Sequence, residues 1–395
     1  QSAIWWQNSA SISRINIYFS SDDGNSWQTL QMNVDASQKG MAWTIPNLYS
    51  SKCRVKIESA TNPLISAQNV LPFVILPPTD STGLPEFSIG SGYYDLPVDV
   101  SITAPPGSMV LYTLDGSDPT DLSPVYNGPI HLDYDSIPAG QPELNITASQ
   151  SYHQPYSYIR TSPVSQSGPT VAFWRRPTST VFKAHILRAR VYDPVNGLGP
   201  IKTHSYFIHP QMTQGRYTLP VVSLVTDPAN LFDYYKGIYI PGATFKDSSW
   251  TGNYEFKGRA SEKMCHFEYF DEQGVKQLSQ SVGIRVRGEW IRAVGQKALT
   301  VYARSEYDTE NNFKYPFFEG MKKPGTSEYQ TKYKRFILRN NGNEWGYFKN
   351  TMMRDAAIQS LFSGLNFGYQ PFRMTVTFIN GEYWGIQDIR ELNDV

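Results

Sequence analysis

The chain is patterned for strands from its first segment. In Arg14–Ser20, RINIYFS, Ile15, Ile17 and Phe19 point one way and Asn16 and Tyr18 the other, the period of two expected of a half-buried strand. Asp22-Asp23-Gly24-Asn25 has turn chemistry, and residues 27–32 return as a hairpin partner. Further short strands are predicted at 41–45, 54–58 and 73–76, separated by Gly, Asn, Asp and Pro. This spacing predicts a β-sandwich over residues 1–76 whose first strands are expected to precede Trp5.

Residues 77–83, PPTDSTG, read as a linker. Beyond it, 98–102 alternate, 105–107 turn, and the apolar run 110–114 ends at Asp115-Gly116, a strong hairpin signal. A second β-sandwich is predicted over 84–210, interrupted at 133–180 by a stretch rich in Ser, Pro and Tyr that reads as a long surface loop.

From 216 to 395 strands and a helix alternate. Residues 219–225 form a continuous apolar run, and Asp227 can cap a short turn over 228–232. MCHFEYF at 264–270 is followed by a turn at Asp271-Glu272-Gln273-Gly274, and strands are predicted around Ile284 and Val286 and over 298–303. Met353, Ala356, Ala357, Ser360 and Leu361 lie on one helical face, with Asn350 as its cap and Gly364 after its last turn. Phe372, Met374, Val376 and Phe378 alternate with polar residues, and Asn380-Gly381 supplies a two-residue hairpin turn into 382–389.

Composition narrows the function classes. The chain has 395 residues, enough for several domains, and 35 basic against 35 acidic side chains. That balance, without a Lys/Arg-rich run, argues against a nucleic-acid partner. Aromatic residues reach 14% while charged ones stop at 18%, below the average of about 25%, which suits β-rich extracellular modules. No segment approaches the ~18 apolar residues of a membrane helix, and no secretion signal opens the chain at Gln1. Cys53 and Cys265 exclude a disulfide framework and are expected to be buried thiols. His204 and His209 have no Cys pair or acid to complete a zinc site, so no metal ligands are assigned.

Several stretches resemble known families. Residues 20–27, SSDDGNSW, are similar to an Asp-box hairpin, in which the acid braces a turn, and residues 1–76 look like a fibronectin III-like or Ig-like module. YTLDGSDPT at 112–120 resembles the chitobiase/hexosaminidase C-terminal domain, with partners at 126–130, 185–190 and 203–208. In that family the module is an accessory β-sandwich, and Asp115 and Asp118 read as turn residues rather than a catalytic pair. A weaker expectation is glycan binding by Tyr152, Tyr156, Tyr158 and Trp174 of the insertion, where Asn145-Ile146-Thr147 also fits a glycosylation sequon.

YTLPVVSL (217–224), GIRVRG (283–288), QKAL (296–299), FILRN (336–340), MRD (353–355) and INGEYWGI (379–386) resemble, in order, the CotH spore-coat kinase family. The resemblance implies a multidomain, mainly β chain: two β-sandwich modules followed by an α+β partial kinase-like domain. It implies an atypical protein kinase passing the γ-phosphate of ATP to Ser of extracellular proteins, on a secreted, periplasmic or cell-surface bacterial protein. Its cofactor would be Mg-ATP. The nucleotide-binding candidates are Lys297 as the phosphate lysine, Arg285, Arg287 and Arg292 around the 288–295 loop, and Glu391 near a hinge. Lys297 also reads as an ordinary strand-edge lysine, Glu391 as a surface carboxylate, and Asp355 as a salt-bridge partner. The family's catalytic and metal-binding Asp would lie beyond Val395, so no catalytic residue is assigned and the chain is expected to be an inactive fragment. The alternative is a structural surface protein, assembling with a partner and using the kinase-like fold without catalysis.

Overall fold

The structure, a computed structural model, describes residues 2–9, 11–46, 50–69, 72–75, 83–133, 182–193, 197–246, 251–293, 296–323, 325–340, 353–362, 365 and 369–392. The chain divides into two compact units. One comprises Gln1–Pro85, Ala104–Val110 and Arg190–Pro200, and the other Glu86–Thr103, Leu111–Ala189 and Ile201–Val395.

The first unit is built on β1 (Ser2–Trp5), β2 (Arg14–Ser20), β3 (Gln28–Asp35), β4 (Gly40–Trp43), β5 (Ser50–Ser59), β6 (Ser66–Gln68) and β7 (Phe73–Ile75). Strands β3-β2-β5-β6 form one sheet, β7 also pairs with β5, and β1 pairs with β4. The alternation in β2 is realised: Ile15, Ile17 and Phe19 are buried, and Phe19 packs on Trp43 with ring centroids 5.3 Å apart. Asp22 does what an Asp-box acid is expected to do. Its carboxylate accepts from the Ser26 amide at 2.9 Å and hydroxyl at 2.6 Å and from the Ser20 hydroxyl at 2.7 Å. Those bonds, with Ser26 first, hold its carboxyl down at about 2.

Residues 86–208, most of them in the second unit, hold a β module: β8 (Glu86–Phe87), β9 (Gly92–Tyr94), β10 (Val98–Val100), β11 (Ile102–Thr103), β12 (Met109–Thr113), β13 (Ile130–Leu132), β14 (His185–Asp193) and β15 (Gly197–Ile208). Its main sheet runs β12-β14-β15-β9, and β10-β13 and β11-β8 form two-stranded pairs. Asp115 caps its own turn, accepting from the Ser117 amide at 2.9 Å. Asp118 instead pairs with the buried Arg188. The predicted surface loop, with Asn145, Tyr152, Tyr156, Tyr158 and Trp174, falls outside the described residues.

Next come β16 (Val221–Val225), α1 (Pro228–Phe232), β17 (Lys263–Phe270), β18 (Lys276–Arg287), β19 (Ala298–Tyr302), the small β20 (Phe313–Lys314) and β21 (Lys332–Tyr333), β22 (Arg335–Arg339), α2 (Arg354–Leu361), β23 (Phe372–Ile379) and β24 (Glu382–Glu391). Seven of these strands close a barrel in the order β16-β17-β18-β19-β22-β24-β23. Every pairing is antiparallel except the closing one, where β16 runs parallel to β23. Val222, Phe267, Ile284, Leu299, Phe336 and Ile389 are among the side chains that fill its interior. Asp227 caps α1 as predicted, accepting from the Ala229 amide at 2.8 Å. Asn380 (φ +49°) and Gly381 (φ +81°) form the left-handed two-residue turn that links β23 to β24.

The β module and the barrel share a core. Phe207 of β15 packs edge-on against Phe270 and Phe378 of the barrel, at 5.3 and 5.0 Å. The Asn380 amide bridges to Thr226, accepting from its N–H and donating to its carbonyl, both at 2.9 Å. The Gly116 turn packs so closely on Asn380 that a Cβ there would lie 2.6 Å from it.

The helix α2 departs from expectation. Asn350 and Gly364 are outside the described residues, and Met353 stands at the cap position with no side-chain bond. Of the predicted apolar face only Ala356 is buried, while Met353 and Leu361 are 46% and 76% exposed. The surface near its first turn is charged. Asp355 meets Arg390 at 2.9 Å and Arg339 at 3.5 Å, so a salt bridge rather than an apolar stripe ties this helix to the barrel.

Candidate functional site

Alternation along β19 decides where Lys297 points. Leu299 and Val301 face the barrel interior, and Lys297, two residues before Leu299, falls on the same side. It is fully buried at one end of the barrel. Its Nζ donates to the Arg292 carbonyl at 2.5 Å and lies over the rings of Tyr254 and Tyr239, 4.3 and 5.3 Å from their centroids. Burial pushes its pKa well below the ordinary lysine value. Glu255 works against that shift and Arg292 adds to it.

Two short helical turns close this end, Asn253–Glu255 and Trp290–Ala293. Arg292, itself buried, joins them by donating to the Tyr254 carbonyl at 2.9 Å and to the Gly288 carbonyl. Polar side chains complete the shell. The Tyr239 hydroxyl accepts from the Lys297 amide at 2.8 Å and from Trp384 Nε1 at 2.7 Å. Gln387 Nε2 donates to the Lys297 carbonyl at 2.9 Å, and Asn340 Nδ2 to the Gln296 carbonyl at 2.5 Å. Gln296 Nε2 reaches the Trp384 carbonyl at 2.7 Å, and the left-handed Gly385 (φ +97°) gives it room, since a Cβ there would lie 2.8 Å away.

The other sequence-predicted residues lie elsewhere. Arg285 and Arg287 alternate with the interior Ile284 and Val286, so they stand on the outer face of β18. Arg285 bonds the Tyr302 hydroxyl and approaches Glu262 at 3.6 Å. Glu262 is a buried hub that also takes both arms of the Arg304 fork, at 2.8 and 3.0 Å. Glu391 is half-buried, four residues beyond Gln387 on β24 and therefore about 13 Å towards the other end of the barrel. Burial pushes its carboxyl up. Lys297, the two arginines and Glu391 therefore occupy three separate places. Sequence reasoning missed Glu262, Tyr239, Tyr254 and Gln387. The apolar Ile284 and Val286 already carried the signal that Arg285 and Arg287 face away from the interior.

The remaining candidates are structural. Cys53 and Cys265 are buried free thiols, and burial pushes the latter up to about 12. His204 faces the Ile89 carbonyl and the Tyr206 hydroxyl, both at 3.3 Å, whereas His209 meets Arg216 at 2.9 Å. Among the described residues no group of three or more His, Cys, Asp or Glu side chains is placed to hold a metal ion. Among those residues, too, no helix is long and apolar enough to cross a membrane.

No curated protein matches the chain. Among solved structures, the fibronectin(III)-like modules of Clostridium thermocellum CbhA align over 52% of this chain and 84% of that chain, at 8% identity. The TM-score of that alignment is 0.15, too low to carry an argument about fold. Residues 89–136 match the family model described as chitobiase/beta-hexosaminidase C-terminal domain, and residues 284–392 match the one described as CotH kinase protein. The second match runs from β18 to β24, the strands that enclose Lys297. The chain thus carries, in order, a segment of the chitobiase/beta-hexosaminidase C-terminal type and a segment of the CotH kinase type.

Proposed function

We propose that the barrel is the nucleotide-gripping part of an atypical protein kinase of the CotH type, acting on Ser of extracellular proteins. The protein belongs in this reading to a secreted, periplasmic or cell-surface setting, with the β modules as its accessory parts. The observation that carries the proposal is a buried ammonium, Lys297, inside the stretch that matches the CotH model.

The donor set fits one half of Mg-ATP. A buried cation, whose contacts include the Arg292 carbonyl and the Tyr254 and Tyr239 rings, is the group proposed to meet a phosphate oxygen. Access requires the 290–293 turn to swing away, because Arg292 ties it to the carbonyl of Tyr254. The described residues do not fit the metal, for want of clustered carboxylates. Arg287 adds positive potential from the outer face, and Glu391 lies at the far end of the barrel. The chain is therefore proposed to bind nucleotide without transferring its phosphate.

Titration of ATP into the chain, with and without Mg²⁺, tests this. Lys297→Ala is expected to weaken ATP at least about tenfold, roughly 1.4 kcal/mol. Equal affinity for ATP in the two proteins would sink the role of Lys297.

A second reading is favoured by the same burial: Lys297 as a structural tie in a scaffold that performs no catalysis. It requires wild type to bind no ATP and Lys297→Ala to lower the melting temperature. Saturable ATP binding by wild type would remove it.

A further inference from the structure

The turn at 115–118 belongs to the motif that marks the β module, and it is pressed onto the barrel at two points. Gly116 (φ +85°) sits so close to Asn380 that a Cβ there would lie 2.6 Å from the Asn380 side chain. Two residues on, the Asp118 amide donates to the Asp227 carboxylate at 3.2 Å. The buried Arg188 of β14 fixes the turn between these points, donating to the Gly116 carbonyl at 2.8 Å and to the Asp118 carboxylate. Asp118 thus uses its carboxylate within the module and its backbone on the barrel. A second grip lies beside the first. The Ala184 amide donates to the Gly381 carbonyl at 2.7 Å, and Lys183 meets Glu382 at 3.3 Å.

Both points lead to Tyr239, whose ring lies over Lys297. Asn380 and Gly381 turn the chain from β23 into β24, and three residues further on Trp384 donates its Nε1 to the Tyr239 hydroxyl at 2.7 Å. Asp227 caps α1, whose Leu231 carbonyl accepts from the Tyr239 amide at 2.9 Å. The same hydroxyl accepts from the Lys297 amide at 2.8 Å. Tyr239 is therefore held at its backbone by α1 and at its hydroxyl by β24, and the module touches the root of each arm. The roots are themselves joined, because the Asn380 amide bonds both ways to Thr226, the residue before Asp227. Packed side chains and buried hydrogen bonds carry a displacement along such arms, since neither can stretch far without breaking.

We propose that the 115–118 turn is a docking surface whose partner is the barrel of the same chain, and that through it the β module holds Tyr239 in place over Lys297. Gly116, Asp118 and Asp227 are then positioning residues. The module is a working part of the Lys297 end of the barrel rather than a spacer in front of it. Tyr239 is held in this way whether or not Lys297 meets a nucleotide.

The test is acylation of Lys297 in the whole chain by acetic anhydride, read by peptide mass spectrometry, alongside hydrogen exchange of β18. Burial shields the Lys297 amine in wild type. Gly116→Ala drives a Cβ into Asn380 and a side chain into a left-handed position, and is expected to speed acylation of Lys297 about tenfold or more. Exchange in β18, which belongs to neither arm, is expected to stay as in wild type. Gly128→Ala, at a glycine with nothing within 4 Å, is expected to match wild type in both measurements. Should Gly116→Ala fail to fold, Asp227→Asn is read in the same way. Its side chain caps α1 as well as aspartate does, but a single oxygen cannot also receive the Asp118 amide. Acylation within about twofold of wild type in the folded variant overturns the proposal. So does acceleration matched by equally faster exchange in β18, which is general loosening rather than loss of one support.

Discussion

Lys297 and Arg287 are neighbours across one strand pair and live in opposite worlds. Arg287 stands beside Ala298, the residue next to Lys297, yet it is exposed on the outer face while Lys297 is sealed inside. Sheet alternation makes the difference, because a shift of one position moves a side chain to the other face. Lys297 exchanges water for a carbonyl oxygen and two ring faces, and burial lowers its proton affinity. Arg287 keeps water and meets other arginines. Two cations of the same motif-bearing stretch thus have unlike energetics, and only the inner one is part of the fold's interior.

The largest expected effect comes from a third cation, Arg390, which tests whether the outer face must be wet. It is fully buried between Asp388 at 3.2 Å and Asp355 at 2.9 Å. Arg390→Ala leaves Asp388 buried without that partner and is expected to cost about 3–5 kcal/mol in denaturant unfolding. A loss below about 1 kcal/mol, the range of exposed pairs, would show that this part of the outer face behaves like the Arg287 part. Next comes Lys297→Ala, which empties the barrel end and strips the Arg292 carbonyl of its donor. A loss of about 2–4 kcal/mol is expected from the cavity and the unpaired group together.

Much of this contrast was legible in the sequence, and its limits have physical causes. The β2 alternation, the Asp22 turn, the α1 cap and the Asn380-Gly381 turn are local patterns, and each forms as its residues dictate. The strand β23 also forms, but its polar Thr375 and Thr377 are fully buried because both its faces are covered. β1 was not readable, because Ser2–Trp5 becomes a strand only by pairing with β4, some forty residues away. Barrel closure is likewise non-local, joining Val221 to Val376. The parity of GIRVRG announced that its arginines face outward. Nothing near Lys297 announced that Tyr239 and Tyr254, more than forty residues earlier, would cover it. The apolar stripe of α2 misled for the converse reason, since the barrel surface it approaches is charged.

Lys297→Met sharpens the comparison through pH. The folded pKa of Lys297 lies below its unfolded value, so between the two the unfolded chain binds more protons than the folded one. Stability should therefore rise with pH in that window, up to the ordinary lysine pKa near 10.5. Lys297→Met lacks this slope and, being close to volume-conserving, should stay within about 1.5 kcal/mol of wild type. Parallel stability curves for the two proteins above neutral pH would mean that Lys297 titrates normally in the fold.

The smallest effect is expected at Arg287. Replacing it by Gln removes an exposed charge from among arginines, so unfolding free energy should stay within about 0.5 kcal/mol of wild type. Any difference should be a slight gain at low salt, where Arg285, Arg335 and Arg339 repel it most. At 1 M salt the screening length shrinks to about 3 Å and that gain should vanish. Urea denaturation of both proteins at low and high salt reads the two terms separately. A loss of more than about 1 kcal/mol that survives high salt would give Arg287 a packing role and erase its difference from Lys297. A salt-dependent gain would instead show that Arg287 is held among like charges at a cost.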